Sequence, residues 1–176
     1  MEKSVQPIKD QQTITPTGEL TKPRIAGLIL NRRPAIEDAR GEIVEVYNPA
    51  WNLHPDPLVY IYQTSVRPGA VKGWVVHYKQ DDRIYVVVGV LRWAFFDNRP
   101  DSPTYKMLND FTVSEHNRAL IITPRGVFHA VKNIGTCDAY FINSPTKAYD
   151  HADPDKLRLP LKNDLIPFCF DDGPGW

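Results

Sequence analysis

An all-β sandwich or barrel is the fold class this sequence predicts, on two observations. No long stretch repeats apolar residues at i, i+3 and i+4; short runs rich in Val, Ile, Tyr, Phe and Trp recur instead, each closed by turn residues. Sixteen prolines and ten glycines supply the punctuation. The runs predicted as strands are residues 25–30, 43–47, 58–66, 74–78, 84–90, 93–96, 119–123, 127–132 and 139–143. Residues 105–109 read as a short helix. Residues 1–22 read as an N-terminal arm, flexible or swapped into a neighbour, and residues 23–176 as a single domain. The Pro-rich tail from Pro160 is expected to be irregular but packed.

The chain has 176 residues, which suits one domain, and 42% of them are hydrophobic, which argues against global disorder. Twenty-one basic residues balance twenty-one acidic ones, so no overall basic field exists for nucleic acid or an anionic membrane. No apolar run reaches the roughly 18 residues that would span a bilayer. The polar start, Met1 to Glu19, lacks the apolar segment of a signal peptide. Cys137 and Cys169 form neither a metal nor a redox spacing. A cytoplasmic protein with no nucleic-acid or membrane partner is expected.

Two stretches carry the chemistry. The first runs from Gly69 through Val75, His77 and Asp82 to Gly89; the second is Pro124-Arg125-Gly126-Val127-Phe128-His129, with Asn133 four residues on. Val75 and His77 are two apart in a predicted strand, so they point to one face. The Pro-x-Gly turn delivers His129 into the next strand, where it can face the same interior. Together these stretches resemble the paired motifs of the cupins, which implies a double-stranded β-helix, an antiparallel jelly-roll barrel with its site at the barrel mouth. Val75 stands where the cupin pattern has histidine, and Asp82 where it has glutamate.

A narrower resemblance spans residues 38–129. Asp38-Ala39-Arg40-Gly41 with Glu45 and Tyr47-Asn48, then Pro68-Gly69-Ala70-Val71-Lys72-Gly73-Trp74, then Phe96-Asp97-Asn98-Arg99 with Ser102-Pro103-Thr104-Tyr105, then Pro124-x-Gly-x-x-His129 are similar to the ordered signatures of the dTDP-4-dehydrorhamnose 3,5-epimerases. The resemblance implies a homodimer that binds a nucleotide sugar, uses no cofactor or metal, and moves a proton beside a 4-keto group. By that resemblance Arg40 grips the diphosphate, Glu45 lies near the nucleotide, Lys72 replaces an arginine of the family, and His129 faces the keto region. Tyr149, with Tyr140 as a competitor, falls near the family's acid tyrosine, and Asp164 near the aspartate that orients its base.

The departure is at the base. The family's Arg-Gly-Leu-His-x-Gln aligns with Lys72-Gly73-Trp74-Val75-Val76-His77, so a valine occupies the base position and a histidine replaces glutamine. Valine cannot accept a proton. His77 lies one pleat further on, roughly 6–7 Å along the strand, where it could serve as a relocated base. Three functions stay open: an epimerase using His77, His129, Tyr149 and Asp164; a non-catalytic cupin that binds a sugar nucleotide or small anion; and a metal-dependent cupin holding a divalent ion with His77, Asp82 and His129. Tyr60 and Tyr62 share a strand face and are candidates for substrate contact. Trp74, Trp93, Phe95 and Phe96 read as core, His54 and His116 as solvated loop residues, and the two cysteines as buried thiols. Asp150, His151 and Asp153 sit in a polar loop with no supporting strand.

Overall fold

A computed structural model describes residues 8–17 and 21–171. Two antiparallel five-stranded sheets face each other. The first is ordered β1 (Ile29–Arg32), β9 (Ala119–Thr123), β6 (Asp82–Val88), β11 (Ala139–Asn143) and β4 (Tyr62–Val66). The second is ordered β12 (Leu157–Arg158), β5 (Val71–Val76), β10 (Val127–Asn133), β7 (Val90–Asp97) and β8 (Leu108–Ser114). A separate hairpin pairs β2 (Ile36–Asp38) with β3 (Gly41–Ile43). From β4 to β12 consecutive strands cross between the sheets, except that β7 and β8 form a hairpin within the second. No helix among the described residues is long and apolar enough to cross a membrane.

Strand alternation decides which side chains meet. Ile84, Val86, Trp93, Phe95, Ile121 and Phe141 turn inward and form the main core with Val66, Leu91 and Val113. Side chains of this size stabilise a fold by about 1.5–3 kcal/mol each when fully buried. The outer face of the second sheet is also apolar: Trp74, Val76, Phe96 and Phe128 lie there, under Ile166, Phe168 and Phe170 from the tail. As far as Asp171 the tail is therefore irregular and packed, as its sequence suggests. The outer face of the first sheet, Tyr85, Leu120 and Ile122, is covered by Val44, Val46, Tyr47 and Leu53.

Several sequence expectations change. The run 43–47 is not a strand beyond Ile43, because its valines cover that outer face instead of entering a sheet. Residues 105–109 form no helix; β8 starts at Leu108 and pairs with β7 over seven residues. Its polar positions have strand-specific partners: Asn109 accepts from the Ile25 amide and donates to Pro23, and Asp110 pairs with Arg92 at 2.9 Å. Of the predicted arm, residues 1–7 and 18–20 lie outside the described residues, and residues 8–13 are exposed. Cys137 is exposed and Cys169 partly so. His116 is exposed as expected, whereas His54 is enclosed: its Nε2 bonds Asp81 at 2.8 Å and its Nδ1 accepts from the Asp56 amide at 3.1 Å.

The Asp97–Thr104 turn is held by a saturated carboxylate. Asp97 is wholly buried and accepts from the Arg99 amide and guanidinium, from Ser102 Oγ at 2.6 Å and from Thr104 Oγ1 at 2.7 Å. Burial works to raise its pKa, yet the hydrogen bonds from Arg99, Ser102 and Thr104 outweigh it and hold the carboxyl well below the usual range. The Asp-x-Arg and Ser-Pro-Thr signature is thus a structural knot.

Candidate active site

Between the sheets lies an inner cavity of about 320 Å³. Val75, His77 and His129 all line it, as strand parity predicts. In the register of β5 and β10, His129 stands opposite Val75 and Val131 opposite Lys72, so three residues of β5 oppose two of β10. This bulge turns Lys72 back to the inner face. Gly73 makes it possible: its φ is +143°, and a Cβ there would approach the Ala130 Cβ to 2.3 Å. The Lys-Gly pair of the sequence signature therefore has a steric cause.

His77 follows the last residue of β5 and is fixed from two sides. Its carbonyl accepts from the Gly126 amide at 2.7 Å, tying it to the Pro-x-Gly turn before His129. Its Nδ1 donates to the Asp155 carbonyl, which leaves Nε2 directed at Asp82. The Asp155 carboxylate accepts from the amides of Tyr78 at 2.9 Å and Lys79 at 2.6 Å, clamping the turn. Asp82 opens β6 and is 2% exposed. Its Oδ2 lies 3.4 Å from His77 Nε2 and 3.6 Å from His129 Nε2, and its Oδ1 accepts from Gln80 at 3.2 Å. The imidazole rings are 5.7 Å apart.

Burial lowers the His129 pKa to about 4; the Asp82 charge opposes that shift and His77 adds to it. His129 is accordingly neutral at physiological pH. A proton arriving at either Nε2 meets the Asp82 carboxylate, so the cluster is suited to proton transfer. Its three donor atoms lie within 4.8 Å of one another, a spacing that also suits a divalent cation.

A second cavity, of about 550 Å³, adjoins the first and shares Tyr62, His77 and Lys156 with it. Tyr60, Tyr149 and His151 face it, and the Tyr60 and Tyr62 rings lie 5.6 Å apart. Burial, reinforced by the Asp82 charge, raises the Tyr62 pKa to about 12. Asn143 Nδ2 donates to the Tyr62 oxygen at 2.8 Å, which frees the phenolic proton for a ligand. Asn143 Oδ1 and Trp93 Nε1, on residues lining the inner cavity, are buried without partners among the described residues, as in a pocket made for a polar ligand.

The structure thus gathers His77, His129, Lys72 and Tyr62 around the inner cavity, with Tyr60 and Tyr149 at the adjoining one. Three expected residues lie elsewhere on the chain. Arg40 sits exposed at the β2–β3 turn, bound to Asp38 at 2.5 Å. Glu45 is exposed and pairs with Arg33 at 3.5 Å. Asp164 is exposed in the tail, carried over the outer sheet face by Ile166, Phe168 and Phe170. His77 Nδ1 is held instead by the Asp155 carbonyl. Tyr140 alternates with Phe141 and Asn143, which line the inner cavity, and itself lines neither one. Sequence reading missed Asp155, Asn143, Lys156 and Arg158. Lys156-Leu157-Arg158-Leu159 alternates polar and apolar residues, a signal for a strand with a charged inner face.

A jelly roll of two antiparallel sheets around a polar cavity with paired histidines defines a cupin. The family model for dTDP-4-dehydrorhamnose 3,5-epimerase matches residues 22–160. The chain is 36% identical to the probable low-salt glycan biosynthesis epimerase Agl13 of Haloferax volcanii over 124 residues, covering 70% of this chain and 80% of that protein. It is 31% identical to the spore coat polysaccharide biosynthesis protein SpsL of Bacillus subtilis over 150 residues, covering 84% and 97%. Its fold is that of a dTDP sugar isomerase from Desulfovibrio desulfuricans, with TM-score 0.78, 23% identity, and 85% and 94% of the chains covered. The chain belongs to the dTDP-4-dehydrorhamnose 3,5-epimerase family, a family of sugar-nucleotide isomerases.

Proposed function

We propose that the protein epimerises a nucleotide-linked 4-keto sugar with His77 as a relocated base. The observation that carries this is the anchoring of His77 Nδ1 on Asp155, with Nε2 left free in the inner cavity beside Asp82. His77 Nε2 takes the proton from the carbon next to the keto group. The C–H pair becomes the C=C bond of an enolate, and the carbonyl pair moves to oxygen. Asp82 stabilises the imidazolium, and the neutral His129 completes the polar wall. A proton returning to the same carbon from the opposite face inverts it, and Tyr149, which lines the adjoining cavity, supplies it. The chemistry needs no cofactor. Val75, 8% exposed, closes the cavity where a histidine base would otherwise sit.

The substrate we favour is a dTDP-4-keto-6-deoxy sugar, with Lys72 on the inner wall serving the diphosphate and Tyr60 and Tyr62 the remainder. Residues Ile36 and Ile43 of the β2–β3 hairpin are 73% and 72% exposed, which supports a homodimer formed through this N-terminal region. Incubation with the sugar nucleotide in D₂O should put deuterium beside the keto group. Binding without incorporation would indicate a non-catalytic cupin. The spacing of His77, Asp82 and His129 favours one second reading, a metal-dependent cupin in which those three would hold a divalent ion; stoichiometric metal in protein purified without chelator would support it.

A further inference from the structure

Three cations line the inner cavity: Lys72, Lys156 and Arg158. Among the described residues none has a side-chain hydrogen bond or ion pair, whereas Arg33, Arg40, Arg92, Arg99, Arg118 and Arg125 are all paired. Arg158 lies on β12, and Lys156 immediately precedes that strand. Leu157 pairs with Val76 and Arg158 with Val75, so the antiparallel register sets Lys156 opposite His77 and on its face. Lys156 lines both cavities, at their junction. Asp82, Arg158 and Lys72 all bear on its charge: burial and then Arg158 push its pKa below the ordinary lysine value, Asp82 pulls it up, and Lys72 lowers it further. It also helps depress the His129 pKa.

We infer that Lys156 is a catalytic residue, the ammonium that holds the keto oxygen as it becomes an enolate. The inference rests on the proton-transfer reading above. Abstraction by His77 leaves a full negative charge on oxygen inside the barrel, and an enolate there needs a fixed positive donor. Lys156 is the unpaired cation next to His77, while Arg158 and Lys72 stand one or more pleats away along the wall of the inner cavity.

The test is deuterium exchange into dTDP-4-keto-6-deoxyglucose by wild type, Lys156→Met and Lys156→Arg, with dTDP affinity and melting temperature measured in parallel. Lys156→Met should lose about 100- to 1,000-fold in exchange at saturating substrate, with dTDP affinity within about threefold of wild type. Lys156→Arg should recover part of the rate and move the alkaline limb of the pH profile upward, since guanidinium stays charged. Exchange that survives in folded Lys156→Met overturns the role alone. A fall in dTDP affinity with exchange kept at saturation also overturns it, by making Lys156 a phosphate ligand. Absence of exchange in wild type overturns the proposed function and this role with it.

Discussion

Asp82 and Asp97 are hidden from solvent to nearly the same degree, 2% and 0% exposed, yet their surroundings differ in kind. Asp97 receives bonds from Arg99, Ser102 and Thr104 and pairs with a guanidinium 2.8 Å away. Among the described residues the Asp82 side chain has one hydrogen bond, from Gln80, and two imidazole nitrogens at 3.4 and 3.6 Å. A buried carboxylate with every lone pair satisfied fixes a turn. One left partly satisfied beside a cavity is available to a proton, a cation or a ligand. The difference teaches that burial alone does not mark a working acid; the supply of donors does.

The largest expected effect separates the two aspartates directly. Asp97→Ala removes the buried acceptor shared by Arg99, Ser102 and Thr104 and should cost about 3–5 kcal/mol in denaturant unfolding. Asp82→Asn, which breaks no lysine or arginine ion pair, should cost under about 1.5 kcal/mol and instead depress deuterium exchange at least tenfold. Equal stability losses in the two variants would erase the distinction.

Acid titration sharpens the same contrast. His129 has a lowered folded pKa, so the unfolded chain binds its proton first. Stability it contributes is full above about 6.5 and falls as pH drops toward about 4, by at most about 1.4 kcal/mol per unit. Asp97 is also held below its ordinary value, but as a carboxylate: its contribution is present above about 3.9 and is lost only below that. Unfolding measured against pH should therefore show two windows, with His129→Gln flattening the first and Asp97→Asn the second.

A smaller effect concerns the anion. Lys72→Ala should weaken dTDP binding, seen by calorimetry, more than Arg40→Ala does, because only Lys72 lines the cavity of its own chain. An equal loss with Arg40→Ala would indicate that the hairpin of a second copy completes the site.

The jelly roll was legible because short runs such as 119–123 and 139–143 are rich in strand-forming residues and closed by turn residues, and their bounds match β9 and β11. β8 was not, since its polar Asn109 and Asp110 interrupt the apolar pattern and gain their partners only from Pro23, Ile25 and Arg92 in the fold. His77 and His129 were readable from parity and turn chemistry. The bulge at Gly73 was not, because it depends on Ala130 of the neighbouring strand. Lys156 and Arg158 escaped because their alternation with Leu157 and Leu159 spans only four residues, of which two form a strand at the sheet edge. Arg40, Glu45 and Asp164 were placed by resemblance alone, and nothing local to them fixed which way the chain would carry them.

The central claim, that the base has moved from position 75 to position 77, is tested most directly by deuterium incorporation beside the keto group of a dTDP-4-keto-6-deoxy sugar. His77→Gln should lower the rate about 10²–10⁴-fold, the contribution of a positioned general base. Val75→His in the otherwise unchanged chain should add little. A rate unaffected by His77→Gln, or one raised a hundredfold by Val75→His, would contradict the relocated base.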